Sequence, residues 1–262
     1  MHGTIPAGGR HQALVALLRG LDELGYSFTT VTPVSHGRVI ARRQGELAAD
    51  LRDVFGWNLP FHRDLVPDEL LTPLNDAGLL VRADEAWRSR VRVAELGGRL
   101  FLHSAFPTTS DDSVFFGPDT YRFVRFLGQV LDGRAVEQLV DMGAGGGPGG
   151  ISASALVEAK RVTLVDVNPL ANSFAAANAE AAGVEVSVVQ GDELDTVDDP
   201  IDCVIANPPF IIDDLGRSYR DGGEALGTGV AMQWARAAMA RLVPGGTMVL
   251  YTGTPIVRGE DQ

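Results

Sequence analysis

Val140-Asp-Met-Gly-Ala-Gly-Gly-Gly-Pro-Gly-Gly150 is the stretch on which the fold turns. The residues around its start, Glu137–Met142, read as a strand around Leu139 and Val140. Glycines directly after a strand let the backbone turn sharply and come close to a ligand where a Cβ would intrude. A helix beginning behind them would present free N–H groups. Asp166 closes the next strand, Arg161–Val167, about 20 residues on, where an acidic side chain can accept hydrogen bonds from ribose hydroxyls. Gly145-x-Gly147-x-x-Gly150 also satisfies the dinucleotide fingerprint, so the loop alone leaves a nicotinamide enzyme and a plain structural turn open.

Outward from this loop the same alternation continues. Tyr121–Leu131 reads as an amphipathic helix before it. Further strands are expected at Glu185–Gln190, Ile201–Ala206 and Thr247–Thr252, the last after a helix Val230–Leu242 and a Pro244-Gly-Gly turn. Strands alternating with helices predict an α/β fold, a Rossmann-like parallel sheet with helices on both faces that binds ligands at the carboxyl ends of its strands. The N-terminal part reads differently. Helices are expected over His11–Leu24, Glu46–Phe55 and 67–78, then strands Leu79–Arg82, Arg90–Leu96 and Arg99–His103 with a Gly97-Gly98 turn. This predicts a small α+β domain over residues 1–110, of accessory or substrate-recognition role and with an outline similar to a winged helix, ahead of a cofactor domain over 111–262.

Charge divides at the same place. Residues 1–110 hold 12 Arg, no Lys and 12 acidic residues; residues 111–262 hold the other 10 basic and 22 acidic ones, which is the whole net charge of −12. Nucleic-acid binders usually carry a basic patch, so the acidic half leans away from that substrate class. There is no apolar run long enough for a membrane span. Met1 to Gly9 lacks a basic start and apolar stretch, so no secretory signal is expected. The lone cysteine, Cys203, excludes an internal disulfide and fits a cytoplasmic setting; inside an apolar strand it reads as a buried inert thiol. The five histidines show no ligand spacing, and no metal is expected. Trp57, Trp87 and Trp234 read as packing residues.

Asn207-Pro208-Pro209-Phe210 at the end of the fourth strand separates the readings. Together with Asp141-x-Gly143-x-Gly145-x-Gly147, it resembles the class I S-adenosylmethionine-dependent methyltransferases of the methyltransferase small domain group. That group includes release-factor glutamine methyltransferases and ribosomal-RNA guanine and adenine N-methyltransferases. Gly117-Pro-Asp-Thr120 resembles the segment preceding the glycine loop in the glutamine enzymes, and Val165-Asp-Val-Asn-Pro-Leu-Ala171 with Asn178 resembles the family's second motif. The resemblance covers residues 113–262 and implies methyl transfer to a planar nitrogen.

It implies S-adenosylmethionine held by Thr120, Asp141, Gly143, Ala144, Gly145, Gly147, Asp166, Val167, Asp192 and Asn207. The catalytic residues it implies are Asn207 and Pro208, whose oxygens accept the substrate N–H groups, and Phe210, whose ring offers a flat face. The implied partner is a protein substrate, such as a translation factor bearing a glutamine amide, or ribosomal RNA. Phe210 departs from the Tyr more common in the glutamine enzymes. The family sheet has seven strands and five are read here, so the closing hairpin is expected to be missing. A nicotinamide oxidoreductase has no task for Asn207-Pro-Pro-Phe; against a catalytically inactive binding module on this scaffold stand the intact glycine loop and Asn207, while the missing closing strands keep that alternative open. Arg217–Gly223 reads as a loop over the substrate or an ordinary surface loop.

Overall fold

The computed structural model describes residues 7–131, 133–192, 194–198, 200–210, 222–223, 227–258 and 260–261. The chain opens on helix α1 (Ala7–Glu23), whose Leu14, Leu17, Leu18 and Leu21 are buried at helical spacing. Leu24, expected on that face, lies past the helix end and is half-exposed. Helix α2 (Pro33–Arg42) lies where no element was expected. Thr32 caps it by accepting from the Ser35 N–H, and Pro33 opens its first turn. The expected helix over Glu46–Phe55 shortens to α3 (Leu51–Phe55). Residues before Asp50 have other bonds to make: the Ala48 N–H donates to the Pro60 carbonyl and the Ala49 N–H to the Asp53 carboxylate, while Asp50 caps α3.

Helix α4 (Asp68–Asp76) packs on α1, and two antiparallel hairpins follow. The first pairs β1 (Leu80–Ala83) with an unexpected β2 (Ala86–Ser89); the second pairs β3 (Val91–Leu96) with β4 (Arg99–Ser104). Gly97 and Gly98 both take positive φ, 61° and 76°, as a two-residue hairpin turn requires.

Helix α5 (Pro118–Val130) leads into the sheet. The sheet is built from β5 (Ala135–Met142), β6 (Glu158–Asp166), β7 (Ser187–Gln190), β8 (Ile201–Ala206) and β9 (Leu242–Leu250). The order is β7-β6-β5-β8-β9 and every pairing is parallel. Helices α6 (Pro148–Ala153), α7 (Pro169–Ala181) and α8 (Gly229–Arg241) are the crossovers among the described residues. The expected Pro244-Gly-Gly turn lies inside β9 instead. Ile201 faces Leu242 while Cys203 faces Thr247, so the extra residues bulge out around Gly245 at φ 84°. Among the described residues the sheet has five strands, and β10 (Ile256–Val257) and β11 (Glu260–Asp261) pair only with each other.

Helix α7 joins the two parts. Ala171, Phe174 and Ala177 sit in one core with the α1 leucines, whereas Ala175 and Ala179 sit in the core of the sheet with Leu139, Leu164 and Ile151. A fully buried phenylalanine or leucine contributes about 1.5–3 kcal/mol, so burial on both sides of α7 fixes the N-terminal part against the sheet. At the surface, His11 Nε2 meets Glu180 Oε2 at 2.6 Å across the same junction.

Candidate active site

The sheet places the chemistry-bearing residues at the carboxyl ends of β5, β6 and β8. Strand β5 stops at Met142 because Gly143 turns away at φ 69°, with its N–H and that of Ala144 donating to the Val165 carbonyl at 2.8 and 3.0 Å. Gly145 and Gly147 also take positive φ, 56° and 81°, and Gly147 begins α6. Two carboxylates fasten the loop. Asp141 Oδ2 accepts from the Gly150 N–H at 2.7 Å, and Asp166 accepts from the Gly145 N–H at 2.7 Å and the Asn168 N–H at 2.9 Å. Burial pushes Asp141 up to about 7, with the nearby charge of Asp166 adding to the rise and the Gly150 bond opposing it. Burial also raises Asp166, against its two backbone bonds.

These residues line a cavity of about 210 Å³. Of the residues singled out from the sequence, Thr120, Asp141, Gly143, Ala144, Gly145, Asp166, Val167, Asp192 and Asn207 are all on its wall. Three are not. Gly147 packs against Leu164 and Ile151 at the start of α6, Pro208 is off the wall while Pro209 is on it, and Phe210 rests against Gly253, where a Cβ would stand 2.9 Å from its ring. The wall also takes Ser113, Val114 and Phe115 from the segment after β4, and Trp234 from α8. Trp234 read as packing, but a Cβ on Gly143 would fall 2.2 Å from its ring, so it roofs the loop. Nothing in a lone tryptophan of an amphipathic helix distinguishes these roles. Arg217–Asp221 of the expected substrate loop lie outside the described residues.

The buried Oδ1 of Asn207 has no hydrogen-bond partner among the described residues, although Asn207 is on the cavity wall. A desolvated acceptor without a donor is costly, and an N–H arriving in the cavity would satisfy it. The remaining surface suits a nucleoside. Val167 is half-exposed at the rim, an apolar face for a base, beside Asp192. Asp166 keeps lone pairs beyond its two backbone bonds, enough to accept hydroxyl hydrogens.

Elsewhere, the buried Arg92 guanidinium lies between His36 Nδ1 (3.1 Å) and His103 Nδ1 (3.4 Å). Desolvation and Arg92 lower His36 to about 4 and hold His103 below the usual histidine range. Both are therefore neutral packing residues. Cys203 is buried and its thiol is pushed up to about 11 by desolvation, which fits an inert side chain. Among the described residues no group of three or more His, Cys, Asp or Glu is placed to hold a metal, and no helix is long and apolar enough to cross a membrane.

A family model described as "Methyltransferase small domain" matches residues 109–255. The chain belongs to the methyltransferase small domain family. It is a class I, S-adenosylmethionine-dependent methyltransferase domain, and its sheet and glycine loop are the Rossmann-like frame of that family. Among its relatives is a release factor glutamine methyltransferase of Bordetella pertussis, 29% identical over 170 residues, covering 60% of this chain and 63% of the relative. The corresponding enzyme of Deinococcus radiodurans is 32% identical over 203 residues, 68% of this chain and 73% of the relative. A ribosomal RNA small subunit methyltransferase C of Hahella chejuensis is 35% identical over 113 residues, 43% of this chain and 30% of the relative. The chain thus spans less than two thirds of the Bordetella and Hahella relatives.

Proposed function

We propose that the chain methylates a planar nitrogen, and that the acceptor is a glutamine amide of a protein. The observation that carries this reading is the buried Oδ1 of Asn207 on the donor cavity, which has no partner among the described residues. S-adenosylmethionine, when bound, supplies an electrophilic methyl group on a sulfonium. Asp166 would take its ribose hydroxyls, Val167 and Asp192 its adenine, and the glycine loop with Thr120 and Asp141 the rest.

The acceptor nitrogen is a weak nucleophile because its lone pair is delocalised. Asn207 Oδ1, taking an N–H hydrogen bond, draws electron density toward that nitrogen and holds its lone pair in line with the donor. The Pro208 carbonyl would take the second N–H, with both prolines keeping the segment out of a helix. Phe210, whose ring rests on Gly253, would offer the acceptor a flat face. No residue needs to act as a strong base, since the proton can leave after transfer.

The amide is favoured by extent and charge. The glutamine relatives align over 170 and 203 residues, past the family domain, against 113 for the ribosomal RNA enzyme, and the domain is acidic. Release factors, the acceptors named for these relatives, are the first to assay. A second reading, a base in RNA, draws on one observation: Arg10 and Arg90 line a neighbouring cavity of about 1020 Å³, and the buried Nε of Arg10 has no hydrogen-bond partner among the described residues. Guanidinium groups in that position suit phosphodiester oxygens.

Transfer of labelled methyl from S-adenosylmethionine into fractionated cell extract tests both. Label in protein, lost by about a hundredfold in Asn207→Ala, is the expected result. Label in RNA that falls in an Arg10→Gln, Arg90→Gln double variant replaces the amide reading with the second. Label in neither overturns both.

A further inference from the structure

Asn178 lies on α7, is fully buried, and reaches two other parts of the molecule at once. Its Oδ1 accepts from the Leu102 N–H at 2.8 Å, and Leu102 belongs to β4 of the N-terminal hairpin. Its Nδ2 donates to the Gly146 carbonyl at 2.8 Å, in the middle of the glycine loop, and approaches the Leu102 carbonyl at 3.4 Å. The side chain is therefore a bridge from the N-terminal hairpin, through the central helix, to the loop on the donor cavity.

Gly146 supplies an independent observation. Its φ is not positive, so the turn does not require a glycine there. A Cβ at this position would instead meet Asn178 Nδ2 and the Leu102 carbonyl, each at 3.2 Å. The glycine leaves room for the bridge. On either side of it, the Gly145 N–H is bonded to Asp166 and the Gly147 N–H to the Ala144 carbonyl. The Gly146 carbonyl is thus held by α7, from outside the loop.

We propose that Asn178 is a positioning residue for methyl transfer: it sets the Gly146 carbonyl, and with it the donor loop, against strand β4 of the N-terminal part. Donor binding then depends on residues outside the family domain. The inference rests on the donor-cavity reading above and names a residue that touches neither donor nor acceptor.

Aspartate is the informative replacement. In the Asn178→Asp variant an ionised carboxylate still accepts from Leu102 but sets a negative oxygen against the Gly146 carbonyl. Burial raises the pKa of such a carboxyl. Once protonated, its hydroxyl donates to that carbonyl and the arrangement is restored.

The test is calorimetric binding of S-adenosylhomocysteine to the full chain and to Asn178→Asp at about pH 8 and about pH 5.5, with each variant read as its ratio to the unsubstituted protein, because Asp141 also titrates in this window. Asn178→Asp should bind about tenfold weaker at the higher pH and recover most of that loss at the lower. Asn178→Ala should be weak at both. Gly146→Ala, which keeps the asparagine, should reproduce the alanine profile and serves if an Asn178 variant fails to fold. Variants that merely lose thermal stability and bind within about twofold of the unsubstituted protein overturn the proposal. So does an Asn178→Asp defect that is the same at both pH values. If the unsubstituted protein itself fails to bind, the donor-cavity reading falls first.

Discussion

Asp141 shows how the site sets its own proton affinity. It is fully buried beside Asp166, and its one bond to the Gly150 N–H does not offset the loss of water. The folded-state pKa of about 7 stands above the ordinary 3.8. A carboxyl with a raised folded pKa contributes its stability fully below the unfolded value and loses it as pH rises through the folded one. Asp141→Asn removes this titration and can keep the Gly150 bond. The difference in unfolding free energy, variant minus unsubstituted protein, should therefore grow between about pH 4 and pH 7, by at most about 4 kcal/mol. Urea denaturation at several pH values measures it, and a difference that stays constant removes Asp141 as an unfavourable buried charge. Residues whose chemistry is rare at their position, Asp141, Asp166 and Asn207, were legible from the sequence. Phe115 and Trp234 were not, because an aromatic that roofs a cavity and one that fills a core have the same local pattern. That the Phe210 ring rests on Gly253 was not legible either, since it depends on a residue brought in from the far side of β9.

At the scale of the element, the loop between β5 and α6 shows that adjacent glycines answer different constraints. Gly143 and Gly145 both hold positive φ, but a Cβ at Gly143 would overlap the Trp234 ring, whereas nothing lies within 4 Å of one at Gly145. Gly145→Ala should cost only the left-handed backbone penalty, about 1–2 kcal/mol. Gly143→Ala should cost more, since the tryptophan must also move, and should weaken S-adenosylhomocysteine binding by displacing the roof of the cavity. Denaturation midpoints and calorimetry on the two variants check the order; equal losses would mean that Trp234 does not constrain the loop. The strands of the sheet were legible because each holds a short apolar stretch, such as Val162–Val165 in β6 and Val204–Ala206 in β8, with turn residues beyond it. Helix α2 was not, because the residue it buries is a histidine rather than an apolar side chain, and β2 is a four-residue strand. The kink in β9 escaped because Pro244-Gly-Gly has the composition of a turn, while its place beside β8 depends on pairing far along the chain.

For the whole molecule, the charge boundary near residue 110 suggests two separable parts, yet α7 belongs to both cores. Phe174 is 1% exposed and packs among residues of the N-terminal part, while Ala175 beside it is sealed under the sheet. An alternation of alanines and one phenylalanine gives no sequence sign of two opposite buried faces, since small residues fit a helix surface as well as a tight interface. If the cores share this helix, neither part can unfold without exposing apolar surface of the other, and the described parts should melt together. Variants that retain only Trp57 as a reporter in the N-terminal part, or only Trp234 beside the donor loop, should give coincident denaturation midpoints. Phe174→Ala, which costs about 3–5 kcal/mol where a buried ring leaves a cavity, should lower both midpoints by the same amount. Two separate midpoints, or a Phe174→Ala shift seen only by Trp57, would show that the N-terminal part is an appendage. The bridge at Asn178 would then have no rigid partner from which to hold the loop.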